Sequence, residues 1–106
     1  MEIKGINKDT EIVEAEPGCQ GKQSPTYYRF DLLDTNAMFI LTEILSTGAA
    51  KYGEDNWRKI PVRNHLNKAM IHIFSWLSGN KEDDHLGHAL CRVFMALAVQ
   101  HQDKEV

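Results

Sequence analysis

The stretch DDHLGHALCRVFMALAVQ, residues 83–100, decides the fold of this chain. From Leu86 to Val99 it is apolar nearly all round, apart from His88 and Arg92. Asp83 and Asp84, just before it, carry side-chain oxygens suited to the free backbone N–H groups of a helix start. A helix that is apolar on most of its circumference must be covered on most sides. Three helices of this size can hardly cover it, so a helical dimer or higher oligomer is expected.

Working outward, residues 62–78 form the helix before it. Pro61 suits its start and Gly79 its stop. Its apolar stripe is Leu66, Ala69, Met70, Ile73 and Leu77, at helical spacing. A further helix is expected over residues 35–50, capped by Asp34 or Thr35, with Ala37, Ile40, Leu41, Ile44 and Leu45 in phase. Residues 1–34 differ from the rest. They contain PGCQGKQSP at 17–25, dense in turn residues. Their short apolar pieces, Ile3/Ile6 and Ile12-Val13, could pair as a minor hairpin. The expected class is all-α. Three main helices pack as an oligomeric bundle, with an extended N-terminal arm over 1–34 and a helical domain over 35–106.

Composition narrows the function. The chain has 106 residues, which suits one helical core. Apolar residues are 42% and charged residues 25%, as in ordinary globular domains. Twelve Lys+Arg against 15 Asp+Glu leave a formal charge of −3. That argues against sequence-independent binding to duplex nucleic acid, which needs a basic surface. Small phosphorylated ligands need only a few clustered cations. Cys19 and Cys91 have no metal-type spacing, and Cys91 reads as a buried free thiol. No stretch approaches the roughly 20 apolar residues of a membrane span. Met1-Glu2-Ile3-Lys4 does not read as a signal peptide. A cytoplasmic protein with no membrane partner is expected.

The polar residues on the helices suggest chemistry. His65, Lys68, His72 and Trp76 share one face of the second helix, apart from its apolar stripe. On the third helix Asp84 and His88 are one turn apart, His85 and His88 are three apart, and Arg92 continues the line. Residues three or four apart on a helix are neighbours, so Asp84, His85 and His88 could present an oxygen and two imidazoles to one point. Glu43 lies beside the apolar stripe of the first helix. The loop KYGEDNWRK, residues 51–59, mixes cations, carboxylates and two aromatic rings. That mix suits a ring to stack on and phosphates to neutralise. Each feature also has a structural reading: the acidic run as a helix cap, the histidines as hydrogen-bonded core residues, and the tryptophans as packing.

Taken in order, Gly21-Lys22-Gln23-Ser24, Tyr28-Arg29-Phe30-Asp31-Leu32, the 47–53 string TGAAKYG, Asn56-Trp57-Arg58-Lys59, His65-Leu66, His72, Trp76-Leu77, Gly79 and the 84–89 string DHLGHA form a pattern. The pattern resembles the phage-encoded dATP/dGTP diphosphohydrolase family, a branch similar to the MazG-like all-α nucleotide pyrophosphohydrolases, over about residues 21–100. The resemblance implies cleavage of a purine deoxynucleoside triphosphate between its α- and β-phosphates, giving the monophosphate and pyrophosphate in a host cytoplasm. It also implies a divalent metal. The broader enzymes hold theirs with E-x-x-E and E-x-x-D runs, whereas this chain offers Glu43 on its first helix and His85-Leu86-Gly87-His88 on its third. Imidazoles suit Mn²⁺ or another transition metal better than Mg²⁺.

On that basis Asp84, His85 and His88 are the expected metal ligands, and Glu43 or Glu54 a further ligand or base. Lys51, Arg58 and Arg63 are expected to face phosphates, and Tyr28, Tyr52 and Trp57 to stack on the base. His72 is expected to support the ligands or face phosphate, and Arg29 to reach the nucleotide from the arm. An HD-type phosphohydrolase fits less well, because the doublet here is reversed, Asp84-His85. The alternative from another class is a non-catalytic helical dimer that binds nucleotide or protein and uses its histidines as a structural cluster. A DNA-binding helical regulator is disfavoured by the acidic charge.

Overall fold

The computed structural model describes residues 11–104. The chain divides into two compact units between Asp34 and Thr35. In the first, β1 (Val13–Glu14) pairs antiparallel with β2 (Lys22–Gln23), placing Val13 opposite Gln23 and Glu14 opposite Lys22. The turn between them uses Gly18 at φ +83°, where a Cβ would be strained. The Gly18 N–H donates to the Glu14 carboxylate at 2.8 Å, and Lys22 Nζ lies 3.5 Å from the same group. The expected hairpin is therefore present with a different partner strand. Val13-Glu14 meets the polar pair Lys22-Gln23, because the tight turn and the cross-strand Glu14–Lys22 charge pair set the register. Ile3 and Ile6 lie outside the described residues. The unit ends in a 3-10 turn, Phe30–Leu32.

The second unit holds three helices: α1 (Thr35–Tyr52), α2 (Val62–Leu77) and α3 (His85–Lys104). A 3-10 helix, Asn56–Lys59, joins the first two. None is long and apolar enough to cross a membrane, among the described residues. α1 stops at Gly53, whose φ of +96° permits the left-handed turn that a helix end favours. α2 starts after Pro61 and ends in a Schellman turn. There Gly79 N–H donates to the Trp76 carbonyl and Asn80 N–H to the Ser75 carbonyl, with Gly79 at φ +90°. Asp84 caps α3, its Oδ1 accepting the Gly87 N–H at 3.0 Å.

α3 packs against both α2 and α1. Ala69, Ala89 and Ala96 are buried, and such small side chains let helix backbones approach. The rest of the two helices is less covered. Leu66, Met70, Ile73, Phe74 and Leu77 on α2, and Leu86, Leu90, Val93, Phe94 and Leu97 on α3, keep 39–63% of their surface exposed. Both sets recur at i, i+4, i+7, i+8 and i+11, so each forms a stripe along its helix. Within the helical unit, these two stripes are left largely uncovered among the described residues.

Gly87 is a point of close approach. A Cβ there would lie 2.5 Å from Asp84 Oδ2 and 2.8 Å from Ile40 Cγ2 of α1, whereas a Cβ on Gly48 would meet nothing within 4 Å. The same substitution should therefore have opposite signs at the two sites. Gly48→Ala should stabilise by about 0.5–1 kcal/mol through helix propensity. Gly87→Ala should destabilise by about 1–3 kcal/mol through overpacking. Denaturant melts of both variants beside the parent chain check this.

Candidate functional site

A cavity of about 540 Å³ opens between α1, the 3-10 helix and α3. From α1 come Ile40, Ile44 and Gly48 as an apolar row, and Glu43, Thr47 and Lys51 as a polar row beside it. Both rows step by four residues, which keeps each on one face. Tyr52, Asn56, Trp57 and Ile60 add to the lining from the end of α1 and the 3-10 region, and α3 contributes Asp84, His88, Cys91, Arg92 and Met95. The lining thus holds two cations, two carboxylates, an imidazole and two aromatic rings. Its volume lies within the range of about 300–1,000 Å³ usual for small-molecule sites.

The wall is fixed by His65, which is fully buried on α2. Its Nε2 lies 2.9 Å from the Trp57 carbonyl and its Nδ1 lies 3.1 Å from the Arg92 guanidinium. A carbonyl can only accept and a guanidinium can only donate. The ring therefore donates from Nε2 and accepts at Nδ1, and it is neutral. Burial pushes its pKa below the usual histidine value and the Arg92 charge adds to this, against an opposing pull from the Trp57 carbonyl. Gln102 Nε2–H, near the end of α3, donates to the Arg58 carbonyl at 3.1 Å and holds the same 3-10 helix. Trp57 carries the Arg58 guanidinium 4.3 Å over its ring and meets Phe94 at 6.4 Å between centroids. Lys51 Nζ sits 5.0 Å over the Tyr52 ring. Cys91 is buried, which raises its thiol pKa, although Arg92 opposes the shift. It is an unreactive neutral thiol, in line with its expected role.

Beside this cavity, α2 and the start of α3 share a second polar cluster. His72 Nδ1 lies 3.0 Å from His85 Nδ1, and His85 Nε2 lies 2.9 Å from Asn80 Oδ1. Asn80 Oδ1 also accepts the Glu82 backbone N–H at 3.0 Å, which identifies that atom as oxygen. His85 consequently carries its proton on Nε2. The His72 ring stacks on His88 at 5.0 Å, and His88 Nε2 lies 3.3 Å from Asp83 Oδ1. Burial lowers the His72 pKa, with the nearby His88 and His85 charges acting in the same direction and Asp83 against them.

The expected site residues distribute as follows. Glu43, Lys51, Tyr52, Trp57, Asp84 and His88 come together around the cavity. His85 turns the other way, buried against His72 and Asn80, so Asp84, His85 and His88 do not converge on one point. Among the described residues, the donor atoms that do converge belong to His72, Asp83 and His85, within 4.8 Å of one another. Glu54, Arg58 and Arg63 are exposed and outside the lining. Arg58 is instead committed to Asp55, with its Nε 2.9 Å from Oδ1. Arg29 and Tyr28 belong to the first unit, where Arg29 forms two hydrogen bonds with Asp31 at 2.8 and 2.7 Å. That pairing holds the Asp31 carboxyl below its usual pKa. Arg92 was only the end of a line in the sequence, and it proves to be a cavity cation. Its signal was the four-residue step Asp84–His88–Arg92. Thr47 and Asn56 carried no signal of their own chemistry and stood only within the quoted family strings.

A family model described as dATP/dGTP diphosphohydrolase, N-terminal, matches residues 17–106 of this chain. No curated protein and no solved structure matches it.

The neutral His65 links stability to pH. Its folded pKa is depressed, so the unfolded chain binds more protons once pH falls below the ordinary histidine value near 6.5. Stability should be flat above about pH 7.5 and fall as pH drops through 6.5 towards the folded pKa. His65→Gln can still accept from Arg92 and donate to Trp57 but does not titrate. Its melting temperature between pH 7.5 and 5 should decline less steeply than that of the parent chain.

Proposed function

From the premise that this chain belongs to the dATP/dGTP diphosphohydrolase family, matched through its N-terminal domain, we propose that it hydrolyses purine deoxynucleoside triphosphates between the α- and β-phosphates in the cavity of its helical unit. The observation that carries this reading is the cavity lining, which pairs Lys51 and Arg92 with Glu43 and Asp84 and adds the rings of Tyr52 and Trp57. Cations offset the charge of the triphosphate and of the departing pyrophosphate. The aromatic rings give a purine a flat surface. A water oxygen bonds to the α-phosphorus, the bridging P–O bond to the β-phosphate breaks, and pyrophosphate leaves with the bonding electrons. Glu43 accepts the water proton, a role open to a carboxylate near a reacting group.

The cavity also holds donors of the type that bind a divalent cation, carboxylate oxygens on Glu43 and Asp84 and an imidazole on His88. These atoms do not converge on one point, so an ion there would need the phosphate oxygens of the nucleotide to complete its shell. Oxygen-rich mixtures of this kind suit Mg²⁺ or Mn²⁺. When bound, such an ion would neutralise phosphate charge and lower the pKa of water. The protein's part is to hold the nucleotide. Arg92 is oriented by His65 and Trp57 by its carbonyl, so one buried side chain holds both a phosphate-binding cation and a base-stacking ring in place.

The same reading includes a second copy of the chain over the apolar stripes of α2 and α3. Ten large apolar side chains on two packed helices stay substantially exposed in one chain, and matched stripes of this kind suit a helical bundle between like chains. Sedimentation velocity at low micromolar concentration should show a dimer or tetramer, and Leu90→Asp should dissociate or unfold it. A stable parent monomer would overturn this assembly.

Turnover is tested by chromatography of dGTP and dATP, with dCTP and dTTP for comparison, in Mg²⁺ or Mn²⁺. Monophosphate and pyrophosphate should appear in equal amounts. Glu43→Gln should lower kcat by about 10²–10⁴-fold, and Lys51→Ala should chiefly raise KM. A folded, assembled chain that turns over none of these nucleotides, or that releases nucleoside and triphosphate, would refute the assignment.

A further inference from the structure

We propose that His72, Asp83 and His85 form a binding site for one divalent transition-metal ion, separate from the carboxylates that line the cavity. Three donors from two helices and the loop between them already converge. His72 comes from the middle of α2, Asp83 from the loop before α3, and His85 from the first residue of α3. Their candidate ligand atoms lie within 4.8 Å of one another. The two Nδ1 atoms, 3.0 Å apart, could both bond one ion at about 2.0–2.1 Å, with the bonds meeting at roughly a right angle.

The surroundings prepare the ligands. Asn80 Oδ1 receives the His85 Nε2–H, so the lone pair of His85 is on Nδ1 and points to the shared position. Metal-bound histidines characteristically donate their other ring N–H to an oxygen acceptor in this way, which fixes both tautomer and ring plane. Asn80 is itself set by the Schellman turn through Gly79 and by the Glu82 N–H. The Asp83 carboxylate is held by the Asp84 backbone N–H at 2.8 Å.

Two imidazoles and one carboxylate favour Zn²⁺, Co²⁺, Mn²⁺ or Ni²⁺ over Mg²⁺, which prefers oxygen. The ion would pin the start of α3 to α2. It would thereby fix His88, whose ring stacks on His72 and whose Nε2 faces Asp83. The proposal does not depend on the assigned hydrolysis, because binding is read without nucleotide.

The test uses the full, tag-free chain stripped with chelator and dialysed into chelator-free buffer. Co²⁺ is titrated in while its visible absorption is followed, and Zn²⁺ content is then measured by mass spectrometry after equilibrium dialysis. One equivalent per chain is expected, with Zn²⁺ displacing Co²⁺. His85→Ala and His72→Ala should abolish that equivalent. Asp83→Asn and Asn80→Ala should weaken it about 10–100-fold, and circular dichroism checks that each variant is folded. Glu43→Gln should bind like the parent, which separates this site from the cavity carboxylates. A parent chain that takes up no stoichiometric metal would show that His72 and His85 share only a hydrogen bond. Folded variants that bind like the parent would also overturn the proposal. Either result leaves the nucleotide assay to stand or fall by itself.

Discussion

The bridge through His65 is the constraint on which the helical unit depends. One neutral imidazole, with no exposed surface, ties the 3-10 helix to α2 through the Trp57 carbonyl and α2 to α3 through Arg92. A hydrogen bond to a charged group contributes about 1.5–3 kcal/mol, and leaving a buried partner unsatisfied costs a similar amount. The two bonds together fix one tautomer of the ring. Without Arg92 the Nδ1 lone pair is buried unpaired, and without Trp57 the Nε2 proton is. The geometry therefore fixes Trp57 and the Arg92 guanidinium together, and both line the cavity.

A second chain of dependence runs through the loop between α2 and α3. The left-handed conformation of Gly79 completes the cap of α2 and delivers Asn80 to the same place each time. Asn80 then receives both the Glu82 N–H and the His85 ring, so the loop is organised by side chains as well as backbone. Four residues after Asn80, Asp84 folds back onto the Gly87 N–H, and the missing Cβ of Gly87 leaves room for that carboxylate and for Ile40. Cap, loop and helix contact are one packing problem. The polar groups of the cavity and of the histidine cluster inherit their positions from its solution.

What could be read in the sequence was what is local. All three helix starts, and the ends of α1 and α2, fall within about two residues of their expected bounds, because Pro61, Gly79 and Asp84 act through their own backbone neighbourhood, whereas α3 runs four residues past its expected end at Gln100, to Lys104. The β2 strand was not legible, since Lys22-Gln23 carries no apolar signal and its pairing follows from the turn and from Glu14. For the site, a four-residue step is enough to say that Asp84 and His88 share a face and that Glu43 and Lys51 do. It does not say which helix lies opposite. His85 satisfies the spacing rule with His88, yet its side of α3 faces α2, where His72 waits. Arg58 looked like a phosphate cation from its loop, but Asp55 at φ +61° brings a carboxylate onto it through a local turn. Such facts depend on tertiary neighbours or on a rare backbone conformation, neither of which periodicity contains.

The near-uniform apolarity of α3 then has a specific cause. Each residue along a helix turns by about 100°, so three adjacent starting points give three faces. The row from Asp84 through His88 and Arg92 to Met95 lines the cavity. The row from His85 through Ala89 and Ala96 to Val99 is buried within the unit. The row from Leu86 through Leu90, Val93 and Leu97 is left open. Only the cavity row has to carry most of its polarity, the buried row needs small residues for close approach, and the open row is built of large apolar side chains. A helix with solvent on its third side would have no reason to keep that row apolar. The surface that lines the cavity and the open apolar surface are therefore set about 160° apart on one helix, so covering one leaves the other open.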